Sequence, residues 1–269
     1  MVSSVSLNYR YFGGEGRPPL VILHGLLGSS RNWTTTARDL ADHFEVFALD
    51  LRNHGDSPHA AEMSYDALVA DLVDWLDARD LDEIRLMGHS LGGKVAMLFA
   101  CRFAQRVDHL YIADIAPKPY EPHHRRELDV MTGIDLRALA DRKAADAALA
   151  REGIDDWAMR QFLLTNLQRD KREGGFRWQV NLPVLRKQLP HLADNPLGDE
   201  DRFPGPTLFI RGDKSDFIED TDTTGIQHHF PRSRIAVLEN CGHNVHVERR
   251  EAFVEAVLSL DAVDWGCSI

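Results

Sequence analysis

The chain has 269 residues, 43% hydrophobic and 27% charged, enough for one globular α/β domain with a large core, which excludes disordered and fibrous classes. Its formal charge of −11 works against nucleic acid and anionic membranes as partners, since both reward clustered Lys and Arg. Cys101, Cys241 and Cys267 form no close pair, the N-terminal MVSSVSLNYRYFGG lacks a basic segment followed by an apolar run, and no apolar stretch reaches membrane length, so a cytoplasmic protein without stable membrane insertion is expected.

Short apolar runs alternate with helical patterns, as in parallel strands joined by crossover helices. The first runs are LNYRYF (7–12) and LVILH (20–24), the second continuous enough for a strand covered on both faces. His24-Gly25-Leu26-Leu27-Gly28 follows as a loop at that strand's carboxyl end, before a helical run around Trp33 to Ala41. Glycine there lets backbone N–H groups turn toward a ligand, so the Leu26 N–H is a candidate oxyanion donor, while His24 reads as a buried turn residue. VFALD (46–50) opens onto a segment in which Asp50, Arg52 and His54 are expected to fix a loop by hydrogen bonds. Within residues 65–79, Tyr65, Leu68, Val69, Leu72, Val73 and Leu76 then share one helical face.

IRLMGH (84–89) runs into Gly88-His89-Ser90-Leu91-Gly92, a G-x-S-x-G match with a strand before it and a helix after it. The pentapeptide alone also fits a glycine-rich turn before a helix N-cap; the strand-turn-helix setting favours a nucleophile elbow, with Ser90 exposed at its tip and the Leu91 N–H as second oxyanion donor. The following helix should carry Val95, Leu98 and Phe99 inward and end near Gln105. HLYIAD (109–114) ends in Asp114, a carboxylate costly to bury without a partner.

Residues 117–203 break the rhythm, with helix-like runs from Asp135 to Arg151 and Asp155 to Leu167 and a turn-rich end at Asp194 to Gly198. The expected division is a core of 1–116 and 204–269 and a helical insertion of 117–203. The basic clusters His123-His124-Arg125-Arg126 and Arg249-Arg250 read as solvated helix faces. TLFIR (207–211) and RIAVLE (234–239) complete the strands, and Val247 to Leu260 reads as a closing helix.

Among 13 histidines, His243 has the position of a general base, on the loop after the last strand and after Ser90 and an acid in chain order. His246 reads as packed or capping and His89 as core; no H-x-x-x-H or H-E-x-x-H spacing sits on a helix beside an acid, so no metal is expected. The acid is ambiguous. Three residues after Gly212, where such sites often hold aspartate, stands Ser215; Asp114 fills that vacancy and Asp216 remains its rival.

HGLLGS (24–29), DLRNHGDS (50–57), GHSLGGK (88–94), ADIAPKPY (113–120), RGDKSDFI (211–218) and GHNVH (242–246) together resemble the YbfF-type acyl-esterases of the α/β-hydrolase superfamily, over nearly the full length. The resemblance implies a mostly parallel eight-stranded sheet with flanking helices, and a helical cap inserted between its sixth and seventh strands. It implies activity on short to medium acyl esters or thioesters, no cofactor, Asp114 as the acid, and Ser215 as an added hydrogen bond to the site. Trp157, Phe162, Leu163 and Leu167 are then expected to face the acyl pocket. The expected partner is a small-molecule acyl ester or thioester, met by a monomer or homodimer. A cofactor-free haloperoxidase, an acyltransferase or a C–C bond hydrolase could use the same triad, and a non-catalytic binding module could keep the fold.

Overall fold

The computed structural model describes residues 3–171 and 174–261; Cys267 and the first two residues of the N-terminal stretch lie outside them. In chain order the elements are β1 (Tyr9–Tyr11), β2 (Pro19–Leu23), α1 (Thr34–Leu40), β3 (Glu45–Leu49), α2 (Tyr65–Asp77), β4 (Ile84–His89), α3 (Leu91–Arg102) and β5 (Val107–Ala113). There follow α4 (Arg125–Gly133), α5 (Arg142–Arg151), α6 (Trp157–Leu164), β6 (Leu167–Arg169), β7 (Phe176–Trp178) and α7 (Leu182–Ala193). The chain closes with β8 (Thr207–Gly212), α8 (Thr223–His229), β9 (Ser233–Leu238), α9 (Val245–Glu248) and α10 (Arg250–Asp261).

The sheet runs β1-β3-β2-β4-β5-β8-β9, parallel except for the antiparallel β1–β3 edge pair. In β2, Leu20 and Ile22 pack with Trp33, Leu40 and Phe253 on one side, while Val21 and Leu23 pack with Leu68, Leu72 and Val95 on the other. An unbroken apolar run thus serves two cores at period two, and each such side chain buried contributes about 1.5–3 kcal/mol. Helix α3 is buried along Leu91 to Ala100, which fixes whatever stands at its N-terminus.

The mostly parallel sheet with flanking helices is as expected, but among the described residues it has seven strands in place of eight. Ahead of β1 the backbone is held by side chains: Arg52 Nη2 donates to Ser3 O at 2.9 Å, and the N–H groups of Val5 and Asn8 donate to Asp71 Oδ1 at 2.7 Å and Ser57 Oγ at 2.8 Å. Residues 3–8 are therefore tied to neighbouring loops and α2 without forming a further ladder.

The long helix expected from Asp135 to Arg151 is broken. Leu136–Ala138 is a lone 3-10 turn, and Asp141 starts α5 anew by accepting the Ala144 N–H at 2.7 Å. The antiparallel hairpin of β6 and β7 went unread because three-residue strands carry little periodicity. The closing helix is split at Arg249 into α9 and α10.

Candidate active site

Ser90 stands between β4 and α3 at φ 51°, ψ −117°, a positive-φ conformation that costs a non-glycine residue of order 1–3 kcal/mol. The glycines beside it permit the turn. A Cβ on Gly88 would lie 2.2 Å from Gly92 O, and one on Gly92 would lie 2.4 Å from Leu23 O. The elbow is also tied down, since the Ser90 N–H donates to Ala113 O at 3.1 Å.

One residue past β5, Asp114 has φ 52° and no solvent exposure. Its Oδ1 accepts the Gly212 N–H at 3.2 Å, and its Oδ2 accepts the Ser215 hydroxyl and meets His243 Nδ1 at 2.8 Å. Asp216 is exposed and makes no hydrogen bond to His243. Of the rival carboxylates the structure thus brings Asp114 to the histidine. Burial holds the Asp114 carboxyl above the usual carboxylate range, against the lowering effect of Ser215, Gly212 and Arg211.

Burial, followed by the positive potentials of His124 and His123, holds His243 below the ordinary imidazole value. Its ring stacks on Phe217 with centroids 3.8 Å apart, and its carbonyl accepts from His89 Nε2 at 3.0 Å. With Nδ1 committed to Asp114, Nε2 is the nitrogen free to take a proton. His246 stacks on Trp33 at 4.0 Å, in the packing role expected of it.

Leu26 and Leu91 line the same cleft as Ser90. As the first residue of α3, Leu91 has no intrahelical acceptor for its N–H. Around Leu26 the loop is clamped: Leu27, at φ 61°, donates its N–H to His54 Nε2 at 3.2 Å and accepts from Asn166 Nδ2 at 2.8 Å. His24 Nε2 accepts the Leu51 N–H at 3.0 Å, and Asp50 accepts the Ser30 N–H at 2.7 Å. Arg52 forms a bidentate, fully buried pair with Asp71. Asp50, Arg52 and His54 accordingly act as loop-fixing residues. Among the described residues no three His, Cys, Asp or Glu side chains converge as a metal site.

The cleft has an apolar wall of Ile115, Leu189, Leu192 and Phe217. Trp157, Phe162, Leu163 and Leu167, expected on this wall, do not line it. Leu163 and Leu167 are buried in the core, Phe162 packs against that core, and Trp157 is 65% exposed. Helix α6 spends its apolar face on packing, and α7 supplies the wall. Nor is His123-His124-Arg125-Arg126 simply a solvated face, because His123 and His124 line the cleft. Their position after β5, the strand beside the nucleophile strand, was the available signal. Lys94 also lines the cleft and went unread; its only sequence cue is a place one turn after Ser90.

A family model for the alpha/beta hydrolase fold matches residues 18–250. The chain is 34% identical to esterase YbfF of Escherichia coli K12, over 89% of this chain and 91% of that protein. It is 36% identical to the sn-1-specific diacylglycerol lipase ABHD11 of Xenopus laevis, over 94% of this chain and 83% of that one. Among solved structures it is similar to a marine microorganism esterase, with 34% identity, a TM-score of 0.91, and coverage of 95% of this chain and 99% of the other.

Proposed function

Because the chain belongs to the α/β-hydrolase family and is a YbfF-type member of it, we propose that it is a carboxylic ester hydrolase working through Ser90, His243 and Asp114 on short to medium acyl esters or thioesters. The observation that carries this reading is the 2.8 Å hydrogen bond from His243 Nδ1 to the buried Asp114 carboxylate, beside a serine held at φ 51°.

Ser90 Oγ attacks the acyl carbon while His243 Nε2 takes its proton; Asp114 orients the ring and stabilises the imidazolium. The N–H groups of Leu26 and Leu91 hold the oxyanion, an arrangement in which loss of one donor costs about 10²–10³ in rate. His243 then protonates the departing alcohol or thiol, and water activated by the same nitrogen releases the acid. Ser215 donates to Asp114 and so favours its ionised form. Residues 117–203 are taken as the cap over a core of 1–116 and 204–269, its α7 setting the acyl wall. A cytoplasmic setting fits the free Cys101 and Cys241, and among the described residues no helix is long and apolar enough to cross a membrane.

Fluorophosphonate labelling and turnover of p-nitrophenyl butyrate test the reading. Wild-type protein should do both, and Ser90→Ala should abolish labelling and lower turnover by at least about 10⁴-fold. Equal labelling of the variant would remove Ser90 as nucleophile.

A further inference from the structure

Lys94 is 2% exposed, and its ammonium is held by main-chain carbonyls, with no ion pair to a carboxylate among the described residues. It sits one turn into α3, its own N–H donating to Ser90 O at 3.1 Å. Nζ donates to Ala193 O and to Asp194 O, each at 2.7 Å, and lies 4.7 Å from the centroid of the Tyr120 ring. An ammonium has three donors, and here two carbonyls and one aromatic face use them. That saturation argues against a direct grip on substrate and for a tie between elements.

The two carbonyls are at the C-terminal end of α7, where unsatisfied oxygens carry the negative end of the helix dipole. Tyr120 extends the tie. Its N–H donates to Ala193 O at 2.9 Å, its hydroxyl accepts the Ala116 N–H at 2.8 Å, and that hydroxyl donates to Phe217 O. Phe217 in turn stacks on His243. Resting on the esterase reading above, we infer that Lys94 and Tyr120 are positioning residues: they lock the α7 end of the acyl wall to the nucleophile helix and so set the acyl length the site accepts.

The tie is sensitive to protonation. Burial pulls the Lys94 ammonium down to about 7, with Asp194 opposing. Besides Asp194, the charged and titratable groups around it are Glu121, His123 and His124 on the cleft, and Lys118, whose Nζ is 5.3 Å from the Tyr120 ring centroid. Below its pKa Lys94 is charged and all three contacts form. Above it the amine keeps two donors and loses its charge, so the wall loosens as pH rises.

The test is the ratio of kcat/KM for p-nitrophenyl octanoate to that for p-nitrophenyl butyrate, measured from about pH 6 to about pH 9; titration of Asp114 and His243 affects both esters and cancels. In wild type the ratio should rise about threefold through one ionisation; in Lys94→Met it should stand about tenfold above the wild-type acid value and stay flat. A loss shared equally by both esters, or a wild-type ratio flat with pH, would overturn the inference. If Lys94→Met does not fold, Lys94→Arg, whose charge is permanent, decides in its place: its ratio should stay flat with pH, and a ratio that still rises would overturn the inference. Absence of any wild-type ester turnover would instead sink the esterase reading, and this inference with it.

Discussion

Asp114 illustrates what a single residue owes to its surroundings. Its Oδ2 takes both the Ser215 hydroxyl and His243 Nδ1, and it is fully buried, whereas Asp216 is exposed. With p-nitrophenyl butyrate, Asp114→Asn should lower kcat by about 10³–10⁴-fold through loss of the correct imidazole tautomer, and Asp216→Asn should stay within about threefold of wild type. The opposite ranking would reassign the acid. Ser90 and His243 could be read in the sequence because steric demand writes glycine at positions 88 and 92, and chain order singles out one histidine. The acid could only be narrowed, to Asp114 or Asp216, since which strand-end carboxylate reaches the histidine depends on how β5 and β8 lie side by side. Lys94 was hidden for a related reason: burial of a lysine on a helix is decided by what packs over it, here α7 and Tyr120.

At the scale of elements, the loop after β2 owes its shape to two distant segments. His54 accepts the Leu27 N–H and Asn166 donates to Leu27 O, holding that residue at φ 61° next to Leu26. Burial keeps the His54 ring neutral, which leaves Nε2 able to accept. His54→Ala should free this loop and lower kcat about 10- to 100-fold, with KM for p-nitrophenyl butyrate changing less than about threefold, because oxyanion donors act mainly on the transition state. A change confined to KM would show that the loop shapes substrate binding. The strands were legible because burial on both faces demands unbroken apolar runs such as Leu20 to Leu23. The helices between β5 and β8 were less so: α6 and α7 both carry apolar stripes, and only tertiary packing decides that Leu163 enters the core while Leu189 and Leu192 face the cleft. The eighth strand was implied by the resemblance and by no apolar run of its own, and among the described residues Arg52, Asp71 and Ser57 hold the backbone ahead of β1 by side-chain hydrogen bonds.

For the whole molecule, the carboxyl edge of the sheet concentrates cost. Ser90 and Asp114 both hold positive φ, and a carboxylate is buried between β5 and β8. Two apolar cores, one on each face of the sheet, hold this edge in place. Because burial raises the Asp114 pKa to about 7, the folded state binds its proton more tightly than the unfolded chain, where carboxyls titrate near 4. Linkage then fixes the sign. Below the unfolded value both states are protonated and nothing is lost; as pH climbs through the window up to about 7, stability falls, and above it the buried charge exacts its full cost. Asp114→Asn removes that charge: its amide oxygen keeps the Gly212 N–H, and its NH2 donates to Ser215 Oγ and to His243 Nδ1 in the other tautomer. The variant should therefore unfold at higher urea concentration than wild type at pH 8, by about 1 kcal/mol or more, and the gain should vanish near pH 4. Paired urea titrations at the two pH values measure it. A variant no more stable than wild type at pH 8 would mean that the hydrogen bonds from Ser215, Gly212 and His243 compensate the burial, and that the site does not draw on the stability of the fold.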